Sequence, residues 1–104
     1  MKERTRRKVK SLQNVIIRDD RVGYAATIRD VSKSGMSVKT EHVFPTFKLV
    51  DVLIKVGDKA IQLQGSVRWV KEAPLNQKDR EHEMGLAILN PPQEFLDYFE
   101  LAGD

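Results

Sequence analysis

Along most of this chain apolar and polar residues alternate with a period of two, the repeat of a strand with one face buried. Val15-Ile16-Ile17, ended by Asp19-Asp20, predicts a first strand followed by a turn. In residues 24–31, Tyr24, Ala26 and Ile28 share one face while Thr27 and Arg29 take the other. Met36 and Val38 then alternate with Ser37 and Lys39. Residues 49–56 place Val50, Val52, Ile54 and Val56 on one side, and Gly57-Asp58 predicts a two-residue hairpin turn. Ile61, Leu63, Gly65, Val67 and Trp69 are expected inward, with Gln62, Gln64, Ser66 and Arg68 outward. Residues 72–82 form a polar loop, Phe44–Phe47 a turn, and Met84, Leu86 and Ile88 carry the last strand.

The period changes at the end of the chain. Asn90 suits a helix cap, Pro91 the first helical position, and Gln93 follows three residues after the cap. Phe95, Leu96, Phe99 and Ala102 fall on one stripe with Tyr98 at its edge, while Glu94, Asp97 and Glu100 point away. A helix over about 91–102 follows, and its aromatic stripe needs a sheet or barrel to cover. Six short strands spaced roughly 8–12 residues apart, then one helix, predict an all-β fold: an antiparallel barrel or a strongly bent sheet. Gly65 and Gly85, inside strand patterns, are where it would bend or approach itself closely.

Composition narrows the class. The chain has 104 residues, the size of one domain, and no cysteine, which excludes disulfides and thiolate metal sites. No apolar run approaches the ~18 residues of a membrane span, and no apolar segment follows the basic N-terminus as in a secretory signal. A soluble cytoplasmic protein without membrane insertion is expected. The net charge of +3 conceals an asymmetry. Residues 1–10 carry six basic side chains and one acid, whereas residues 11–104 hold 12 basic and 14 acidic groups. The basic character therefore belongs to an N-terminal arm, expected to be flexible, ahead of a single domain over 11–104. Such an arm suits a phosphate-bearing partner, and it equally suits a solvated terminus.

Catalysis finds little support. His42 and His82 stand apart in polar contexts, expected as surface histidines, and neither has a partner at metal-ligand spacing. There is no nucleophile elbow, P-loop or GxGxxG pattern. No catalytic residue, metal or cofactor is assigned, and the chain is not expected to be an enzyme.

The turn Asp30-Val31-Ser32-Lys33-Ser34-Gly35 is more informative. The Ser32 hydroxyl can donate to a phosphate oxygen. Gly35 permits a left-handed backbone or a close approach. Successive backbone N–H groups in such a turn can form an anion nest. Asp30 would repel a bare phosphate, but its carboxylate can accept from the N–H groups on the Watson–Crick edge of guanine. The same residues also suit an Asx or Ser turn that satisfies local backbone donors. Arginines in the arm match guanine O6 and N7 and pair with phosphate in a fork, so arm and turn are complementary to a guanine nucleotide.

These residues resemble the PilZ domain family, bacterial receptors for cyclic di-GMP. The family pattern is RxxxR near the N-terminus followed by [D/N]xSxxG, here intact as Asp30, Ser32 and Gly35. Residues 65–70, GSVRWV, and 83–89, EMGLAIL, followed by a helix, extend the resemblance over roughly residues 3–101. It implies a six-stranded antiparallel β-barrel with a C-terminal α-helix. The first motif departs from the pattern. Family sequences place the second arginine before an apolar residue, here Val9, which aligns Arg4 and Lys8 and gives RxxxK. Lysine keeps the charge but loses the planar fork; one bidentate contact is worth ~1–3 kcal/mol. Arg7, one residue away, is a substitute.

The implied ligand site comprises Arg4, Arg7, Lys8, Asp30, Ser32 and Gly35, with Arg6 and Arg68 as further phosphate contacts. The implied function is a cyclic di-GMP effector whose arm changes conformation on binding and signals to a downstream protein, as monomer or homodimer. The alternatives are a degenerate PilZ-like adaptor working through protein contacts alone and, last, a small basic barrel binding single-stranded nucleic acid, which would need exposed stacking aromatics.

Overall fold

The computed structural model describes residues 7–76 and 80–102, the side chains of 7–13, 56 and 98–102 excepted. Six strands, β1 (Arg7–Asp19), β2 (Val22–Ser32), β3 (Gly35–Thr40), β4 (Leu49–Val56), β5 (Lys59–Lys71) and β6 (His82–Leu89), precede one helix, α1 (Gln93–Ala102). They close into a barrel in the order β1-β2-β3-β6-β5-β4, every neighbour antiparallel. Closure comes from β1 against β4, from Val15 opposite Ile54 to Arg18 opposite Asp51. Closure pairs the two strands that would otherwise be edges and template aggregation.

The alternation translates directly into the core. Val15 and Ile17 from β1, Ile28 from β2, Met36 and Val38 from β3, Val52 and Ile54 from β4, Val67 from β5, and Met84 from β6 are all essentially inaccessible. Phe44 from the β3–β4 connection and Phe95 from α1 join the same cluster, as expected of a helix whose aromatic stripe needs cover. At roughly 1.5–3 kcal/mol for each large side chain removed from water, this cluster is the main stabilising element. Gly57 takes φ 62° in the turn between Val56 and Lys59, and Asp20 takes φ 57° between β1 and β2, a conformation Asp tolerates.

Four expectations are corrected. β1 begins at Arg7, so residues 7–10 of the predicted arm belong to a strand. Arg7 and Lys8 pair with Val31 and Asp30, and the register with β2 shifts between Lys8 and Gln13. Asn90 is not the helix cap: it adopts φ 46°, and the helix starts at Gln93, where the Pro92 carbonyl accepts from Leu96 N–H at 3.2 Å. Asn90 is thus spent on the turn out of β6. His82 is not a surface residue; it opens β6 at 4% exposure, its Nδ1 accepting from Ala73 N–H at 2.9 Å, and this anchors the loop before it. His42 stacks on Tyr24, ring centroids 3.8 Å apart, with Phe44 edge-on to both.

The fourth correction matters most for the site. Trp69 is 42% exposed rather than core. The β5–β6 register runs Val67 opposite Leu86, then Trp69 opposite Gly85, leaving Arg68 as an unpaired bulge residue. A bulge reverses inside and outside for every later residue of the strand, so Trp69 faces out. β2 does the same at Arg29: the β2–β3 register passes from Ile28 opposite Val38 to Asp30 opposite Ser37. Val31 thereby turns inward, and Asp30 outward.

Candidate ligand-binding site

The motif turn is the tip of the β2–β3 hairpin, with Ser32 opposite Gly35 and exposed Lys33-Ser34 between. Ser34 O accepts from Ile88 N–H at 2.9 Å, which ties the tip to β6. Ser32 is buried, and its hydroxyl donates to Gly35 O at 3.3 Å, a local bond to a carbonyl rather than the bond to a backbone N–H expected of a Ser turn. Gly35 does not have positive φ. A glycine is required because a β-carbon there would lie 2.7 Å from the Leu86 carbonyl oxygen, so its role is close strand approach.

The two bulges bring one continuous row of residues into register across the sheet. Lys8 on β1 is opposite Asp30 on β2, Asp30 opposite Ser37 on β3, Ser37 opposite Gly85 on β6, and Gly85 opposite Trp69 on β5. Of the two candidates for the second basic position, the register therefore sets Lys8, not Arg7, against the motif acid; Arg7 is opposite Val31. The Trp69 indole lies over Gly85 so closely that a β-carbon there would overlap the ring. Ser37 Oγ is buried with no hydrogen-bond partner among the described residues. A buried hydroxyl ordinarily finds a partner, so Ser37 leaves a donor and acceptor available within this row.

Beside the row lies a cavity of about 210 Å³ lined by Ser32, Ser34, Gly35, Arg68, Trp69, Gly85, Leu86 and Ala87. It is smaller than the roughly 300–1,000 Å³ of a typical drug-sized pocket. It suits one phosphate or the edge of one base, with the remainder of a larger ligand on the open surface. Arg68, expected as an additional contact, supplies a guanidinium to this cavity. A second, larger groove of about 790 Å³ runs past Tyr24, Lys39, His42, Lys55 and Glu81, and none of the predicted site residues lines it.

The structure thus brings Ser32, Gly35 and Arg68 to one cavity and sets Asp30 on the same hairpin, with Lys8 in register opposite it and Arg7 one residue before Lys8. Arg4 and Arg6 lie outside the described residues. Alternation alone missed Trp69 and Ser37. The signal for Trp69 was the run Val67-Arg68-Trp69-Val70, where three apolar residues surround one charge and a bulge at the charge resolves the conflict.

Similar folds are known. The PilZ domain of YcgR from Escherichia coli, solved with c-di-GMP, superposes with a TM-score of 0.71 at 12% identity, covering 95% of this chain and 86% of that one. The inhibitor of motility MotI/DgrA from Bacillus subtilis gives 0.70 at 16%, covering 96% of this chain and 51% of that one. The chain thus spans about half of MotI. No curated protein matches the sequence. The PilZ domain family matches residues 2–99, and the chain belongs to it.

Proposed function

We propose that this PilZ domain is a cytoplasmic cyclic di-GMP receptor that passes the signal to a protein partner. The observation that carries this is the cross-strand row, in which two bulges set Asp30 and Trp69 in line with Lys8 beside the Ser32–Gly35–Arg68 cavity. Each group then has a role. The Asp30 carboxylate accepts from the N–H groups of a guanine edge. Arg68 and the Ser32 hydroxyl, released from Gly35 O, donate to phosphate oxygens. The Trp69 indole offers a stacking face, worth about 1–3 kcal/mol per base. Lys8, with Arg4, Arg6 and Arg7 of the same basic segment, draws the remaining phosphate and base charge. Drawing the basic residues that precede β1 toward the bound ligand changes the surface offered to the partner.

Calorimetry with cyclic di-GMP tests this. Lys8→Arg restores a fork at the register partner of Asp30 and is expected to tighten binding about tenfold. Asp30→Ala removes the paired acceptor and is expected to weaken it tenfold to a hundredfold, on the order of 1–3 kcal/mol. Lysine in an arginine position favours a second reading, an adaptor that works through protein contacts alone. No heat at millimolar dinucleotide for either the wild type or Lys8→Arg would select it.

A further inference from the structure

We propose that Phe47 is a positioning residue for the ligand: its ring holds the Arg68 guanidinium at the mouth of the Ser32–Gly35 cavity. This rests on the cyclic di-GMP reading above. Phe47 stands outside any strand, 69% exposed, with φ 72°. A left-handed backbone is costly for a residue with a β-carbon, and it persists only where surrounding structure imposes it. Here two backbone bonds do so. Phe47 N–H donates to Val67 O at 2.6 Å, and Val67 N–H donates to Lys48 O at 2.9 Å. Both are made to the residue directly before the Arg68 bulge, so the segment and the bulge are fixed to one another.

The result is that the Arg68 guanidinium carbon lies 5.5 Å from the Phe47 ring centroid, within cation–π range. Among the described residues Arg68 makes no ion pair. An arginine left to solvent samples many rotamers, and binding an anion must then immobilise it. An aromatic face limits that freedom without neutralising the charge, as a carboxylate would. Phe47 buries too little to serve the core, and glycine would suit its backbone better. Its ring beneath a cavity-lining cation is the contact that gives it a use.

The test is calorimetry with cyclic di-GMP on the wild type, Phe47→Leu, Phe47→Tyr, Arg68→Gln and the Phe47→Leu/Arg68→Gln double variant, alongside the Arg68 Nε–H resonance without ligand. Phe47→Leu is expected to weaken binding about threefold to tenfold and Phe47→Tyr to restore it. In the Arg68→Gln background, Phe47→Leu is expected to change nothing further. Equal losses from Phe47→Leu in both backgrounds, or no loss where Arg68→Gln weakens binding, would overturn the proposal. The resonance separates this from failure of the receptor reading. Ring-current displacement in the wild type, lost in Phe47→Leu, supports the contact whether or not the dinucleotide binds. A wild-type resonance already at its free-arginine position rejects it.

Discussion

Arg29 on β2 and Arg68 on β5 occupy equivalent faults in the barrel: each is an extra residue that reverses the facing of the residues after it. Their surroundings differ. Arg29 Nη1 lies 3.2 Å from Glu83 Oε2 on β6, a neutralised pair at the surface. Arg68 instead faces the Phe47 ring and lines the cavity at the hairpin tip. The same backbone device thus yields a charge consumed by the sheet and a charge left available. The contrast separates a bulge whose charge is paired within the sheet from one whose charge lines an open cavity. Cavity volume makes no such distinction. The groove near Tyr24 and His42 is larger, but Lys39 and Lys55 share its lining with Glu41 and Glu81.

If this difference is functional, the two arginines respond differently to substitution. Arg68→Gln is expected to lower cyclic di-GMP affinity about tenfold, since it removes a charge-assisted contact to phosphate. Arg29→Gln is expected to leave that affinity within about twofold on the same calorimeter. Equal losses would remove the distinction between the bulges. A smaller effect is expected from Gly85→Ala. The added methyl must displace the Trp69 indole, so affinity falls about fivefold and the tryptophan emission shifts as the ring leaves its strand. Unchanged emission with intact binding would mean that Trp69 has another resting place. The smallest effect concerns stability: breaking the half-exposed Arg29–Glu83 pair with Arg29→Gln is expected to cost less than about 1 kcal/mol in chemical denaturation.

The barrel was legible because its strands obey a strict alternation. Val50, Val52, Ile54, Ile61, Leu63 and Val67 lie inside as the pattern requires. Alternation assumes an unbroken register, and the candidate site residues lie where the register breaks. Trp69 was therefore misplaced, and the outward turn of Asp30 could not be read from Ile28 and Arg29. Asp30, Ser32 and Gly35 were visible as a motif, but the sequence could not distinguish a glycine needed for φ from one needed for strand approach. Asn90 misled for a related reason: Asn suits both a helix cap and a left-handed turn, and here the exit from β6 uses the second property. His82 looked solvated because its neighbours are polar, yet it satisfies a backbone N–H beneath its own loop.

The most direct test is a titration of the protein with cyclic di-GMP, monitored through amide and indole N–H chemical shifts. If the two bulges and the hairpin tip form one site, shifts concentrate at Asp30–Gly35, Arg68 and the Trp69 indole, and spare Tyr24 and His42. Shifts centred on Tyr24, Lys39 and His42, or none at millimolar dinucleotide, would contradict it.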